Sequence, residues 1–154
     1  MRIVPLASRL DLADTLARWH HGEWHHLYAD WTFERCLAEL RAQVDADRLP
    51  TTLLALEGET LLGSVSLVLD DLPGREELSP WLASLYVPLE HRSRGVGGKL
   101  VEAAVTEAHR LGVTQLYLFT PRHESYYAAR GWSVLERTST AGQLIVIMTR
   151  ACRA

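Results

Sequence analysis

The sequence predicts a mixed α/β (α+β) domain with a mostly antiparallel central sheet flanked by helices. Three observations carry that prediction. Strand-like runs at 51–56 and 61–69 flank a tight turn, Glu57-Gly58-Glu59-Thr60, and runs at 132–137 and 143–149 flank Ala141-Gly142, so both pairs read as antiparallel hairpins. Val96, Leu100, Ala104, Ala108 and Leu111 repeat with helical period, widened by Val101 and Val105. That helix lies between two strand-like runs, 81–87 and 113–120, and a strand–helix–strand unit implies a parallel crossover.

The elements follow in order. Arg2 to Leu6 reads as an edge strand. From Ser8 onward Leu12, Ala13, Leu16, Ala17 and Trp19 are helical, with Ser8 or Asp11 as candidate caps. Thr32 opens a second helix that carries Phe33, Leu37, Leu40 and Val44 on one face and ends before Pro50. The first hairpin leads to the acidic loop Asp70-Asp71-Leu72-Pro73-Gly74-Arg75-Glu76-Glu77. Trp81 to Val87 alternates, with Trp81, Ala83, Leu85 and Val87 on one side and Leu82, Ser84 and Tyr86 on the other; Pro88 ends it because proline supplies no ladder donor. Gly112 stops the long helix, Val113 to Thr120 is a strand, and His123 to Arg130 is a short helix stopped by Gly131.

Composition narrows the class. With 154 residues, 47% hydrophobic and 23% charged, the chain reads as one globular domain over residues 1–154. A net charge of −3 gives no basic surplus for nucleic acid or an anionic membrane. No apolar run is long enough to span a bilayer, and Met1 to Leu12 lacks a signal-peptide core. Cys36 and Cys152 lack CxxC spacing and read as reduced thiols, so the expected compartment is the cytoplasm.

Chemistry concentrates at Arg92-Ser93-Arg94-Gly95-Val96-Gly97-Gly98-Lys99, between a strand and the long helix. Three glycines beside a first helical turn each cost roughly 1 kcal/mol against alanine. Their use would be to uncover the free N–H groups and positive dipole end of the helix, an anion cradle best suited to phosphate. A glycine-rich turn with solvated arginines is the plainer alternative. The spacing fits neither a dinucleotide fingerprint, since residue 100 is Leu, nor a P-loop, which needs Gly at 93 and Ser or Thr at 100.

Arg92-x-x-Gly95-x-Gly97 after a strand resembles the acetyl-CoA pyrophosphate loop of the GNAT superfamily of N-acetyltransferases, Gln/Arg-x-x-Gly-x-Gly/Ala. Leu85-Tyr86-Val87-Pro88 before the loop and Tyr126-Tyr127-Ala128-Ala129-Arg130-Gly131-Trp132 after it are similar to the family's segments in the same register. The resemblance implies a GNAT-like fold in which strands 81–87 and 113–120 splay apart at the acetyl-CoA site. It implies an enzyme that moves acetyl from acetyl-CoA directly to a primary amine, without a metal. Leu85 and Val87 would pair through their backbones with the pantetheine arm, and an N–H near Tyr86 or Val87 would meet the oxyanion. Arg92, Ser93, Arg94, Gly95, Val96, Gly97, Gly98 and Lys99 would form the phosphate cradle. Ser125 and Tyr126 would contact the donor, Ser125 or His123 replacing an Asn that many relatives carry. Tyr127 would be the general acid for the departing thiolate. A homodimer is among the states the resemblance allows.

Other features stay open in the sequence. Glu76, Glu77 or His25 could serve as base. His21 and His25 stand i, i+4 and invite a metal reading, but lack the His-Glu-x-x-His order. Trp19, Trp24, Tyr28 and Trp31 would either pack helices onto the sheet or wall a cationic acceptor. The acidic 70–77 loop favours a cationic amine. The rival function is a non-catalytic acyl-CoA-binding or regulatory module on the same fold; an unrelated phosphate-binding α/β protein is a second.

Overall fold

The computed structural model describes residues 1–153. Seven strands form one sheet in the order β1-β2-β3-β4-β5-β7-β6. They are β1 (Arg2–Pro5), β2 (Thr51–Glu57), β3 (Thr60–Val68), β4 (Trp81–Tyr86), β5 (Gln115–Thr120), β6 (Ser133–Thr140) and β7 (Gln143–Ala151). Every neighbouring pair is antiparallel except β4 and β5, joined by the predicted crossover through α3 (Val96–Arg110). Among the described residues no helix is long and apolar enough to cross a membrane.

Alternation along the strands assigns the two faces. Leu53 and Ala55 of β2 and Leu116 and Leu118 of β5 pack with Val96, Leu100, Val101, Ala104, Val105 and Ala108 of α3. Each large aliphatic side chain buried there contributes about 1.5–3 kcal/mol. Leu54 and Leu56 point the other way, to α1 (Ala13–Trp24) and α2 (Phe33–Arg41). On that same face the 69–80 loop covers the rest of the sheet, with Leu72 packed among Trp81, Ile145 and Ile147.

Three local expectations are corrected. Helix α1 starts at Ala13 after two 3₁₀ turns, Leu6–Ser8 and Leu10–Leu12, and has no side-chain cap. Ser8 Oγ donates instead to the Pro5 carbonyl at 2.8 Å, and Asp11 accepts from Arg9 at 3.0 Å. Helix α2 ends at Arg41, so Val44 lies beyond it and is 70% exposed; Cys36 and Leu40, one turn apart, are the fully buried pair. Thr32 does cap α2, its Oγ1 accepting from the Arg35 N–H at 3.1 Å. The short helix before Gly131 is α4, Glu124–Ala128, shorter than predicted.

Candidate functional site

The site begins with an irregularity in β4. Ser66 pairs with Ala83, but the next pair is Ser64 with Tyr86, so one residue of β3 faces two of β4, Ser84 and Leu85. This is a β-bulge, and Ser84 takes a φ of 55° to make it. The bulge inverts the predicted sidedness beyond it. Leu85 and Val87 join Leu82 on the α3 face, while Tyr86 turns to α1, its ring 5.5 Å from Trp19 and 6.0 Å from Trp24.

The ladder between β4 and β5 has a single register pair, Trp81 with Tyr117, supplemented by Tyr117 N–H to the Pro80 carbonyl at 3.2 Å. Beyond it the β5-facing edge of β4 has no strand partner, which leaves main-chain groups free for an extended ligand. Arg92 Nε donates to the Val87 carbonyl at 2.7 Å and ties the following loop to this strand end. One acceptor position of Val87 is therefore occupied within the chain.

The loop delivers an open helix end. Gly95 is the N-cap of α3 with φ 79°, a left-handed conformation that glycine adopts without strain, and it offers no capping side chain. The first intrahelical bond runs from Lys99 N–H to the Gly95 carbonyl at 3.1 Å, so the amides before it have no partner within the helix. No acidic residue occupies the first turn. Such an end attracts anions. Ser93, Arg94 and Lys99 are exposed around it, and Val96 is buried beneath. The Arg94 guanidinium is engaged elsewhere: it lies 3.2 Å from Glu57 of the first hairpin.

Helix α4 closes the other side. A Cβ on Gly97 would lie 2.9 Å from the Tyr126 hydroxyl, and one on Gly98 would lie 3.2 Å from Arg130 Nε. Two of the glycines thus admit side chains from α4 and the residues after it as well as exposing amides. Tyr127 is buried between Tyr126 (5.2 Å) and Trp132 (6.1 Å), both edge-on. Burial, with a smaller contribution from Tyr126, pushes its phenol up to about 12. It therefore stays protonated at neutral pH and is a donor. Ser125 and His123 are exposed at the start of α4.

The opposite face carries the aromatics and acids. His20 is buried, with Nε2 3.0 Å from Ser64 Oγ, and its ring stands 5.3 Å from Trp24. His21 and His25 stack at 5.0 Å, but main-chain carbonyls take a nitrogen of each: Trp31 O at 3.0 Å from His21 Nε2 and His21 O at 2.7 Å from His25 Nδ1. In the acidic loop Glu77 accepts from Arg75 at 2.8 Å, which holds its carboxyl below the usual range. Glu76 accepts from the Gly74 N–H at 3.1 Å. Asp71, which the sequence does not single out, lines a shallow cavity of about 280 Å³ with Asp70, Leu72, Pro73 and Glu76. Burial pushes its carboxyl up to about 7, and its charge helps raise the Tyr28 phenol nearby.

Gly63 is the other residue missed, although a lone glycine within a strand run signals close approach of another backbone. A Cβ there would lie 2.9 Å from the Tyr86 carbonyl and 3.1 Å from Leu100 Cδ1 and Val87 Cγ2. The carbonyl is main chain and cannot swing aside. Gly63→Ala is expected to destabilise by about 1–3 kcal/mol in urea unfolding. Gly22→Ala, in α1 with nothing within 4 Å of the new Cβ, is expected to be stabilising by about 0.5–1 kcal/mol. Equal effects of the two would show that the β3–β4 approach is not tight.

Comparison with known proteins places this geometry. An aminoglycoside 6′-acetyltransferase type Ii superposes with a TM-score of 0.75 at 18% identity, covering 100% of this chain and 99% of its own. An aminoglycoside 6′-N-acetyltransferase complexed with coenzyme A gives 0.75 at 16%, covering 100% and 98%. A GNAT-family acetyltransferase from Streptococcus pneumoniae gives 0.72 at 16%, covering 99% and 100%. No curated protein sequence matches the chain. The pattern of the acetyltransferase (GNAT) family matches residues 13–132, from the start of α1 through both sides of the α3 cradle to Trp132, and the chain belongs to that family.

Proposed function

We propose that this chain is a single-domain N-acetyltransferase over residues 1–154 that moves acetyl from acetyl-CoA directly to a primary amine. The observation that carries the reading is the meeting of two unsatisfied backbone surfaces: the uncapped first turn of α3 and the unpartnered edge of β4. A diphosphate matches the first and the amide-bearing pantetheine arm matches the second. The donor-binding residues are Leu85, Tyr86 and Val87 on the strand, Arg92, Ser93, Arg94, Gly95, Val96, Gly97, Gly98 and Lys99 around the cradle, and Ser125 and Tyr126 on α4. Arg94 acts there through its amide, because its side chain holds Glu57.

Chemistry follows from charge. The amine nitrogen attacks the thioester carbon, the C–S bond breaks, and the sulfur leaves with a proton from Tyr127. The amine must shed a proton as the amide forms. Asp71, with a carboxyl near 7 beside Tyr28, suits that proton better than Glu77, which is neutralised by Arg75. The acidic cavity and the Trp19–Trp24–Tyr86 wall share one face of the sheet and favour a cationic acceptor. Aminoglycosides, the acceptors named for two structural relatives, are polycationic amines of that kind.

Acetyl-CoA is expected to raise the melting temperature at micromolar concentration, while ATP and NAD leave it unchanged. Incubation with a panel of amino sugars, polyamines, lysine peptides and protein N-termini should add an acetyl mass to at least one, with stoichiometric release of free CoA. Binding without turnover of any amine would favour a non-catalytic module; no binding would remove both readings.

A further inference from the structure

We propose that Arg130 is a phosphate-binding residue for the acetyl donor, its guanidinium forming a side-chain wall of the α3 cradle. The inference rests on the acetyl-CoA reading above and adds a residue to it.

Arg130 is held in place before any ligand arrives. Its guanidinium carbon sits 3.7 Å from the centre of the Tyr126 ring, and Nη1 donates to the Tyr126 carbonyl at 2.8 Å. Nε and Nη2 lie 3.2 and 3.4 Å from where a Gly98 Cβ would be, so a side chain there would push the guanidinium outward from the first turn of α3 by a few tenths of an ångström. A guanidinium has five N–H donors, and the Tyr126 carbonyl takes one. Neighbouring arginines are neutralised: Arg94 lies 3.2 Å from Glu57 and Arg150 lies 2.7 Å from Glu102. Among the described residues no carboxylate comes within 4.0 Å of Arg130.

The Tyr126 ring and carbonyl hold this cation beside a second positive group. A helix N-terminus is a positive end, where cations are destabilising and anions stabilising. Arg130 is partly buried against that end, with Lys99 also in the first turns. A phosphate between the amides and the guanidinium turns two repulsive partners into a clamp. Arginine stacked on an aromatic ring is already oriented for charge-assisted bonds to phosphate, so little side-chain entropy is lost on binding.

The donor has two phosphate sources, its diphosphate and its 3′-phosphate. Calorimetric Kd values for acetyl-CoA and 3′-dephospho-acetyl-CoA would be measured on the full chain and on Arg130→Gln, Arg130→Met and Arg130→Lys, each checked by its unliganded melting temperature. The neutral variants are expected to weaken acetyl-CoA binding by roughly 10- to 100-fold, the range of a charge-assisted hydrogen bond. Arg130→Lys, which keeps the charge but not the stacked fork, should bind with an affinity between the parent and the neutral variants. If the weakening persists with 3′-dephospho-acetyl-CoA, the diphosphate is the target; if it vanishes there, the 3′-phosphate is. Neutral variants that bind acetyl-CoA as well as the parent, or a Lys variant that loses as much as the neutral ones, would overturn the proposal. A parent chain that binds no acetyl-CoA would instead overturn the function on which it rests. Should the Gln variant fail to fold, Arg130→Met, which keeps the stem over Tyr126, gives the same decision.

Discussion

Tyr127→Phe is expected to lower kcat by roughly two to four orders of magnitude while leaving the Kd for acetyl-CoA within about twofold, the range for loss of a positioned proton donor. The split follows from what the residue does in each state. Its ring is buried and packed edge-on by Tyr126 and Trp132, so phenylalanine keeps the contacts that hold α4 against the sheet. Only the O–H is lost. Desolvation pushes that phenol up to about 12, which keeps the proton on oxygen across the physiological range and makes the group useless as a base. A departing thiolate, by contrast, gains from a nearby proton as negative charge builds on sulfur. The interaction is strongest in the transition state, so its removal falls on kcat rather than on ground-state binding. Steady-state kinetics with an acceptor from the amine panel, beside calorimetric binding, would check both halves. An unchanged kcat would return Tyr127 to the role of a packing residue.

The elements that place Tyr127 were legible in the sequence because each has a local cause. The helical stripe of 96–111, the Gly58 turn and Pro88 after β4 act over a few residues, and the structure has all three. Strict alternation over 81–87 failed for a reason that short-range pattern cannot show. The bulge at Ser84 and Leu85 exists only as a mismatch of register with β3, some twenty residues away in the chain. The glycine cluster is only partly a local feature. Its uncapped amides follow from local sequence, but the partners that fill the space over Gly97 and Gly98 come from Tyr126 and Arg130. Asp71 shows the same limit. In sequence it is one acid among four in a loop and reads as solvated; in the fold it is half-buried beside Tyr28, while Glu77 finds Arg75.

His20 shows how such a tertiary contact becomes a measurable stability term. It is 4% exposed, its Nε2 lies 3.0 Å from Ser64 Oγ, and burial lowers its pKa from 6.5 to about 4. The unfolded chain therefore takes up a proton near pH 6.5 that the folded chain refuses until about pH 4. Stability from this residue is complete above pH 6.5 and falls as pH drops through that window, by about 3 kcal/mol in all. Asp71 works in the opposite sense: its carboxyl is raised to about 7, so its contribution is complete below the ordinary carboxylate range and is lost as pH rises through 7. The two windows overlap, and the wild-type pH profile alone would conceal both. Urea unfolding of wild type beside His20→Gln separates them, because Asp71 and the exposed carboxylates are common to the two proteins. The wild type should lose about 3 kcal/mol more than the variant between pH 7 and pH 4; parallel curves would mean that the imidazole is not protected. Protonation would also act on the site, because Ser64 pairs with Tyr86 directly after the β4 bulge. A charged His20 expelled toward water would pull α1, with Trp19 and Trp24, away from the strand end proposed for the acetyl donor.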